Sequence, residues 1–445
     1  MSEPQLCDIR PCLEGVIPAV MATCAADGMP NAAYISQVYY VDERHVALSF
    51  QFFNKTRQNI LANPYATVLL LHPQTAAYYR LHLHYLRTET EGPLFEGMKA
   101  QLAGIASHAG MQDVFRLLGS DVYEVERIEA VAGEPLPAPP ARSGMLNAAR
   151  RCSERLARCT SLDETLNAVL ATLTDFLGVR HAMVLMLDSA AQRLYTVASC
   201  GYSTSGVGSE IGLGQGVIGT AARERTPVRI MHMTNAYLYS QAMRSSLEAN
   251  VPGAEAATEI PYPGLKEPHS QLAVPVMSAG RLLGVLFVES PRDMEFSFED
   301  EDMLVAMAGH LGAAIDLMQA GTEAPEPSPA AAPRPSTSGA PLAVKRFAAN
   351  DSIFIDDHYL IKGVAGAILW KLLKEHAQGR SDFSNRELRL DASIGLPDVG
   401  DNLEARLVLL RRRLDEHGPH LRIEKTGRGR FRLAVQRPVN LTDMA

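Results

Sequence analysis

Apolar residues recur along the chain with two periods, and the clearest short example is the stretch His45–Leu71. Between Val46 and Phe50 they occupy every second position, which predicts a strand with one apolar face. A cationic turn follows at residues 54–57, and the short helix behind it is expected to stop before Pro64. A second apolar strand is predicted over Ala66–Leu71. The stretch is therefore a strand, a cationic turn, a helix and a strand.

This corner has the features of an anion site. Lys and Arg stand at the start of a helix, where free backbone N–H groups and the positive end of the helix dipole add to their charge. The segment resembles the phosphate-gripping segment of pyridoxamine 5'-phosphate oxidase-like, FMN-binding split barrels. The family usually has Ser-Arg-Lys where this chain has Asn54-Lys55-Thr56, so one cation is missing unless Arg57 replaces it. The resemblance implies FMN, bound by Ser49, Phe50, Gln51, Asn54, Lys55, Thr56 and Arg57.

The rest of residues 1–132 alternates short strands with tight turns such as Asp27-Gly28, which predicts a small closed barrel and fits the split β-barrel. His82 and His84 lie two apart on one strand face, at the spacing of metal ligands. A polar strand face at a dimer seam is the simpler interpretation. No metal ligand set is assigned.

A second cofactor hypothesis rests on the cysteines and histidines. Haem could take His82, His84 or Cys24 as axial ligands, and an iron–sulfur cluster is conceivable near Cys7 and Cys12. The two N-terminal cysteines lack CxxC spacing, which favours a reduced, unliganded tail. Haem would also leave the cationic turn at residues 54–57 without a role.

A Pro-rich linker is predicted at residues 133–142, followed by a long helical region over residues 143–177. Gly214, Gly216 and Gly219 satisfy GxGxxG literally. A dinucleotide fold would need a strong strand before the motif and an acidic residue about twenty positions after it, and neither is present. The glycines therefore do not predict a dinucleotide site.

Three segments instead resemble a GAF sensory domain over residues 143–320. Ile211–Ile230 matches the glycine-rich turn, short helix and strand of that family, and Ser270–Ser290 matches its last hairpin, with Ala279-Gly280 at the turn. Phe298–Met318 matches the terminal helix. The expected fold is a GAF α/β sandwich. GAF domains bind small molecules or serve as dimer modules, so the fold alone names no ligand.

Residues 232–269 form a long insertion between those motifs, which is typical of a lid or of a surface excursion. Aromatic and histidine side chains on a lid suit a planar or anionic ligand, whereas on an excursion they would merely cover the sheet. Both interpretations stay open. The ligand candidates are His232, Tyr237, Tyr239, Tyr262 and His269.

A Pro/Ala-rich linker at residues 321–342 precedes a third predicted domain over residues 343–435. Its expected order is helix, helix, basic helix and basic hairpin. The segments LRRRL and IEKTGRGRFRL resemble the C-terminal DNA-binding domain of winged-helix response regulators. Cations on one helix face can enter a major groove, and hairpin cations can hold phosphates. The predicted DNA-binding residues are Arg406, Arg411, Arg412, Arg413, Lys425, Arg428 and Arg430.

Composition sets the limits of these hypotheses. A chain of 445 residues, 47% hydrophobic and 21% charged, is expected to hold two to four globular domains. The net charge is -8, yet residues 342–435 carry 17 Lys plus Arg against 13 Asp plus Glu. That asymmetry predicts a basic effector behind acidic sensing domains. Neither a signal peptide nor a membrane span is evident, and six cysteines in a chain of this length form no disulfide framework, so a cytoplasmic location is expected.

Taken together, the sequence predicts a multidomain α+β protein. The leading hypothesis is a homodimeric one-component transcriptional regulator, with FMN in the barrel, a small-molecule ligand in the GAF domain, and DNA as the partner of the winged helix. The alternative is an FMN-dependent oxidoreductase with appended regulatory modules, in which the flavin supplies the chemistry.

Overall fold

The computed structural model describes three successive regions of the chain, here called the N-terminal, central and C-terminal regions. The residues described are 4–13, 19–35, 37–51, 55–92, 94–95, 97–99, 102, 117–137, 144–230, 260–320, 339–391, 394, 396 and 402–444. Among them, no helix is both long enough and apolar enough to cross a bilayer.

The N-terminal region is one antiparallel, barrel-like sheet of seven strands in the order β2-β1-β5-β6-β7-β4-β3. Alternate residues of the strands, such as Val68, Leu81 and Leu83, form its core. The elements are a 3₁₀ helix Leu6–Leu13, β1 Ala19–Cys24, β2 Pro30–Ile35, β3 Val38–Tyr40, β4 His45–Phe50, α1 Lys55–Ala62, β5 Tyr65–Leu71, β6 Tyr78–Glu89 and β7 Gly119–Ala130.

The predicted hairpin at Asp27-Gly28 is confirmed, with Gly28 at φ +85°. The strand, helix and strand of His45–Leu71 are confirmed as β4, α1 and β5. The described residues between 94 and 102 are also helical.

The central region is a six-stranded antiparallel sheet, β10-β9-β8-β13-β12-β11, with helices on both faces. The elements are α2 Met145–Leu156, α3 Leu162–Leu177, β8 His181–Asp188, β9 Arg193–Cys200, β10 Glu210–Gly212, α4 Gly216–Glu224, β11 Val228–Ile230, β12 Ser270–Ser278, β13 Arg281–Ser290 and α5 Phe298–Ala320. One face packs on α2, α3 and α5, and the other on α4.

The expected long helical region over residues 143–177 is two helices. α2 ends at Leu156, and Ser161 caps α3 by accepting a hydrogen bond from the Glu164 backbone N–H. The Glu164 carboxylate in turn accepts from the Thr160 N–H. These local hydrogen bonds stop one helix and start the next, and an apolar stripe continues through both, which is why the break is hard to predict. The predicted turn at Ala279-Gly280 is confirmed, because both residues have positive φ.

In its described residues, the C-terminal region contains two small sheets and three α-helices. Its elements are β14 Leu342–Phe347, β15 Ser352–Ile355, β16 His358–Ile361, α6 Gly363–Ala377, β17 Asp382–Ser384, α7 Asn385–Leu390, α8 Leu403–His417, β18 Leu421–Gly427, β19 Arg430–Val435 and β20 Val439–Met444. The sheets have the orders β16-β15-β14-β20 and β17-β19-β18. β20 pairs in parallel with β14, so this fold extends beyond residue 435. The region packs against the central region through one continuous apolar core.

Candidate functional site

The corner between β4 and α1 places Lys55 at the first position of the helix, where unpaired backbone N–H groups are exposed. Lys55 is exposed and, within the part of the chain that the structure describes, has no carboxylate partner. Asn54 lies outside the described residues. Lys55 and the first turn of α1 together can therefore hold an anionic group such as a phosphate.

Arg57 points away from that position, into the sheet. Its Nη1 lies 2.5 Å from Oδ1 of Asp121 on β7, and its Nη2 donates to the Thr88 hydroxyl at 2.7 Å. The two charged side chains are only 11% and 9% exposed, and the guanidinium lies 4.5 Å from the centre of the Phe50 ring. Arg57 is thus part of a buried ion pair, so it does not supply the cation that is missing from the turn.

The surroundings of that pair satisfy its hydrogen bonds. Thr88 donates to Asp121 Oδ1 at 2.6 Å, and the Tyr85 hydroxyl lies 2.7 Å from Thr88 Oγ1. Burial raises the pKa of Asp121, although Thr88 and Arg57 pull it downward. Burial also raises the pKa of Tyr123, next to Asp121. The cluster is a closed polar network inside the barrel-like sheet.

The other residues predicted for FMN lie around the same corner. Thr56 is buried, and its hydroxyl accepts a hydrogen bond from Asn31 Nδ2 at 2.9 Å. At the end of β4, Gln51 Nε2 lies 3.4 Å from Ser49 Oγ. Lys55 and these small polar groups fit the phosphate end of FMN. Ser49, Phe50 and Gln51 remain predicted contacts of the flavin.

The histidines and cysteines have other neighbours. His82 Nε2 lies 3.4 Å from Glu129 and 3.1 Å from the Arg127 guanidinium, and the His84 ring packs on Tyr65 at 5.1 Å. All six cysteines lie in the described part of the chain, and none of them forms a disulfide bond. Within the described residues, no group of three or more His, Cys, Asp or Glu side chains could hold a metal ion.

A second candidate site lies on the α4 face of the central sheet, around the carboxyl of Glu289, which is 2% exposed. The Leu265 N–H donates to its Oε1 at 2.8 Å, and Gln271 Nε2 donates to its Oε2 at 3.0 Å. Burial raises the pKa of Glu289. Burial and the nearby Glu289 charge both raise the pKa of the Tyr202 hydroxyl. The site thus presents a buried carboxyl that is held by neutral donors.

The last ten residues of the long insertion, 260–269, cross this site. It approaches the β9–β10 connection closely: a Cβ on Gly206, which has φ +57°, would lie 2.3 Å from Pro263. Tyr262 is 40% exposed and is one of the groups that raise the pKa of the Tyr202 hydroxyl, so it lies near the Glu289 site. His269 instead pairs with Asp293 at 3.1 Å. Of the predicted ligand residues, His232, Tyr237 and Tyr239 lie outside the described residues.

The third candidate site is helix α8, and its arginines lie against the central region. Arg412 donates to Asp163 Oδ1 through Nε at 3.0 Å and Nη2 at 2.7 Å, and also to the Val197 carbonyl at 3.0 Å. Arg411 Nη2 lies 2.7 Å from the second oxygen of Asp163. One aspartate at the start of α3 therefore binds two successive arginines of α8.

Arg406 and Arg413 are also engaged. Arg406 is 5% exposed, with Nη2 2.7 Å from Asp188 Oδ2 and its guanidinium 4.2 Å from the centre of the Tyr195 ring. Arg413 donates to the Leu360 carbonyl at 3.0 Å, within its own region. All four arginines of α8 are therefore buried or half-buried.

The hairpin β18–β19 differs from the helix. Lys425 and Arg428 are exposed, and Arg430 is half-buried. Lys425, Arg430 and Arg411 line a cleft that Leu162 and Asp163 of the central region close on the other side. The predicted hairpin cations thus lie near one end of α8, and of these three only Lys425 and Arg428 are exposed to solvent.

Sequence reasoning missed the carboxylates in all three sites. Glu289 carried a local signal, because it is a charged residue within the apolar hairpin Ser270–Ser290. Asp163 and Asp188 carried none, since they lie more than 200 positions from the arginines they bind. Contacts at such separation leave no periodicity in the sequence.

Comparison with known proteins identifies two of the three regions. The family model described as pyridoxamine 5'-phosphate oxidase matches residues 8–126, and the model described as GAF domain matches residues 159–316. The chain thus contains a split-barrel domain of the FMN-binding type followed by a GAF domain. The comparison with curated proteins found no match.

Solved structures are similar to each of these parts. The GAF domain of a phosphoenolpyruvate-protein phosphotransferase from Coxiella burnetii is 21% identical, with 40% of this chain and 96% of that chain covered and a TM-score of 0.32. A free methionine-R-sulfoxide reductase from Neisseria meningitidis, in complex with its substrate, is 18% identical over 41% and 95%, with a TM-score of 0.30. An FMN-binding protein from Syntrophomonas wolfei subsp. wolfei is 16% identical over 28% and 86%, with a TM-score of 0.25.

Proposed function

We propose that this protein is a one-component transcriptional regulator whose C-terminal region binds DNA as a winged helix. The observation that carries the proposal is the placement of α8, with four arginines, directly before a hairpin whose Lys425 and Arg428 are exposed. The preceding α6 and α7, and the pairing of β17 with β19, complete the element order of winged-helix domains. A split-barrel domain and a GAF domain in front of it fit a sensory or regulatory multidomain protein.

The proposed DNA contacts are of two kinds, contacts of a helix in the major groove and contacts of a hairpin with phosphates. Arg406, Arg411, Arg412 and Arg413 lie on the helix that would enter the major groove, and Lys425, Arg428 and Arg430 lie on the hairpin that would hold phosphates. Phosphate contacts release counterions, so the affinity should fall steeply as salt rises. Because the cationic surface of one copy is small, a homodimer that binds two half-sites would strengthen binding. Leu146 on α2 and Leu317 on α5 are 85% and 75% exposed, which supports these two helices as the contact between the two copies.

The proposed inputs are a redox signal and a small ligand. FMN, when bound, supplies electron-transfer chemistry to the barrel. Lys55 and the first turn of α1 would hold its phosphate, with Thr56 beside them. In the GAF domain, Glu289, Gln271 and Tyr202 form the polar floor of the proposed ligand site, and Tyr262 lies at its edge. A ligand that hydrogen-bonds to this floor would displace the backbone N–H of Leu265 from Glu289.

The test is binding of the full-length protein to labelled mixed-sequence duplex DNA as a function of salt. Lys425→Ala with Arg428→Ala should weaken binding at low salt by about tenfold and lower the slope of log affinity against log salt by about 2, roughly one per lost phosphate contact. Lys266→Ala with Arg292→Ala removes two exposed cations of the central region and should change neither. Equal affinities and slopes for the hairpin variant and wild type would remove the hairpin from the DNA interface. Steady flavin turnover without DNA binding would replace the proposal with an oxidoreductase.

A further inference from the structure

The central region presents a set of oxygen acceptors to α8, here called the acidic face: Asp163 and Asn167 on α3, Asp188 at the end of β8, and the Val197 carbonyl on β9. These groups come from three elements of one domain, and all meet arginines of a single helix of another. Glu210, on β10, adds a pair with Lys362 at 3.3 Å beside them. The contact is therefore built by the folded sheet and helices and not by one flexible loop.

The fit at Asp163 uses both carboxylate oxygens. Oδ1 accepts two bonds from Arg412, and Oδ2 pairs with Arg411. Arg412 also donates to Asn167 Oδ1 at 2.8 Å. Planar guanidinium groups bind carboxylates and phosphates through the same two-pronged geometry. The acidic face thus offers the arginines negatively charged oxygen acceptors, as the phosphates of DNA also would.

Arg406 shows that the contact also excludes solvent. Its side chain is 6% exposed, between Asp188 and the ring of Tyr195. Leu409, on the same helix, lies against the β9–β10 connection, where a Cβ on Gly208 would be 3.6 Å from its Cδ1. An arginine enclosed in this way cannot reach a base edge in a DNA groove until α8 leaves the central region.

We propose that the acidic face is a docking surface for α8 that competes with DNA, so that the described arrangement is an inhibited state. The proposal rests on the proposed function, because it takes DNA to be the competitor. The same arginines have two alternative partners, the carboxylates of the GAF domain or the phosphates and bases of a duplex. When only a fraction of the molecules is in the binding-competent state, the apparent dissociation constant is the intrinsic constant divided by that fraction.

The contact has the properties of a reversible latch. Asp163, Arg411 and Arg412 are 25%, 29% and 19% exposed, so water can replace either partner when the helix leaves. Ion pairs that water can reach contribute only about 0–1 kcal/mol each, so the Asp163 pairs add little to the cost of releasing α8. Asp188 and Arg406 form the buried centre of the latch.

The test compares full-length variants in binding to a labelled, mixed-sequence 30-bp duplex at low salt. The docking variant is Asp163→Asn with Asp188→Asn. The Asp188→Asn side chain keeps one oxygen that can accept from the Ala190 and Ala191 N–H groups, as Asp188 does, while its amide nitrogen faces Arg406 in place of the other oxygen. The turn is thus kept and the latch is weakened. The docking variant should bind DNA about tenfold more tightly than wild type, as expected if about a tenth of the wild-type molecules are open.

The matched control is Asp175→Asn with Asp316→Asn. It makes the same charge change in the same domain and also removes two arginine pairs, those with Arg155 and Arg281. Since both double variants lose two negative charges, any general electrostatic gain is common to them. The control should bind within about twofold of wild type.

Hydrogen exchange of the α8 amides, measured without DNA, distinguishes failure of the proposed docking surface from failure of the proposed DNA binding. Faster exchange in the docking variant together with tighter DNA binding supports the docking surface as a competitor of DNA. Faster exchange while neither variant nor wild type binds DNA would overturn DNA as the competitor and, with it, the proposed function. Unchanged exchange and unchanged affinity would overturn the docking surface, even if wild type binds DNA through its hairpin.

Discussion

Two arginines that the sequence assigns to a ligand, Arg57 to FMN and Arg412 to DNA, each meet an aspartate in the structure, and the two pairs differ in where that aspartate lies. Asp121 on β7 belongs to the same N-terminal region as Arg57 on α1, and the pair is almost fully buried. Asp163 belongs to a different domain from Arg412, and that pair is partly exposed. One pair is internal to a fold, whereas the other joins two folds.

The difference decides what each pair can do. Separating Arg57 from Asp121 would leave an uncompensated charge inside the barrel-like sheet, which is strongly destabilising. Separating Arg412 from Asp163 moves both groups into water, at a cost near that of an exposed ion pair. Identical chemistry therefore stabilises a fold in the first case and permits a change of partner in the second.

The largest effect is expected when the buried Arg57–Asp121 pair is broken. Asp121→Ala should lower the free energy of unfolding of the N-terminal region by about 3–5 kcal/mol because Arg57 stays buried without its partner. Asp163→Ala should cost less than about 1 kcal/mol. Chemical denaturation followed by far-UV circular dichroism measures both. Fluorescence of Trp370, the single tryptophan, reports only the C-terminal region and should miss the Asp121→Ala transition.

The control for that experiment is the apolar pair Arg57→Met with Asp121→Leu. Replacing both charges should be less damaging than Asp121→Ala alone, because no buried charge is then left unpaired. If Asp121→Ala and Asp163→Ala cost the same, burial does not distinguish the two pairs.

A smaller effect is expected at the corner between β4 and α1. There Lys55 is exposed, whereas Arg57 is paired with Asp121. Lys55→Glu should raise the dissociation constant of FMN by about a hundredfold, since a charge-assisted hydrogen bond contributes about 1.5–3 kcal/mol and the new charge repels the phosphate. Quenching of flavin fluorescence on titration measures the affinity. Arg44→Glu, at an exposed position of the turn before β4, should leave it unchanged. Stoichiometric FMN in purified Lys55→Glu protein would contradict the assignment of Lys55 to the FMN phosphate.

The smallest effect concerns Glu289, a buried carboxyl held by neutral donors. Its pKa is raised above the ordinary value of 4.5, so the folded state favours the protonated form. Its contribution to stability is therefore complete below pH 4.5 and decreases as pH rises toward the folded-state pKa, by up to about 1.4 kcal/mol per pH unit. Glu289→Gln should remove this decrease, so its urea midpoint should gain on that of wild type as the pH is raised from about 5 to about 8. Glu267→Gln, at the exposed surface, should follow wild type, and parallel curves for Glu289→Gln and wild type would show that Glu289 stays ionised.

Much of the fold was predictable from the sequence because it depends on local patterns. β4, α1 and β5 follow from alternation, a polar turn and Pro64, and the β12–β13 turn follows from Ala279-Gly280. The break between α2 and α3 was missed, because Thr160 and Ser161 cap a helix inside an apolar stripe that continues on both sides.

The sites were less predictable than the elements that carry them. The sequence places Lys55, Thr56 and Arg57 on one helical turn, but successive residues differ by about 100° in direction, and only packing determines which one faces inward. The partners of α8 could not be predicted from the sequence for a different reason. Asp163 and Asp188 belong to another domain, and nothing near α8 in the chain indicates that it will be covered.

The order of the chain has a consequence for synthesis. The acidic face is complete once α5 is made, and α8 begins about 80 residues after the end of α5. At about 5–20 residues per second, the ribosome needs roughly 4–16 seconds to make that interval, and domains that emerge first fold first. The arginines of α8 therefore emerge beside carboxylates that are already in place, and the surrounding ribosomal and messenger RNA meets a helix that has its partner. The helix that we propose to bind DNA is thus covered by its own chain as soon as it is made.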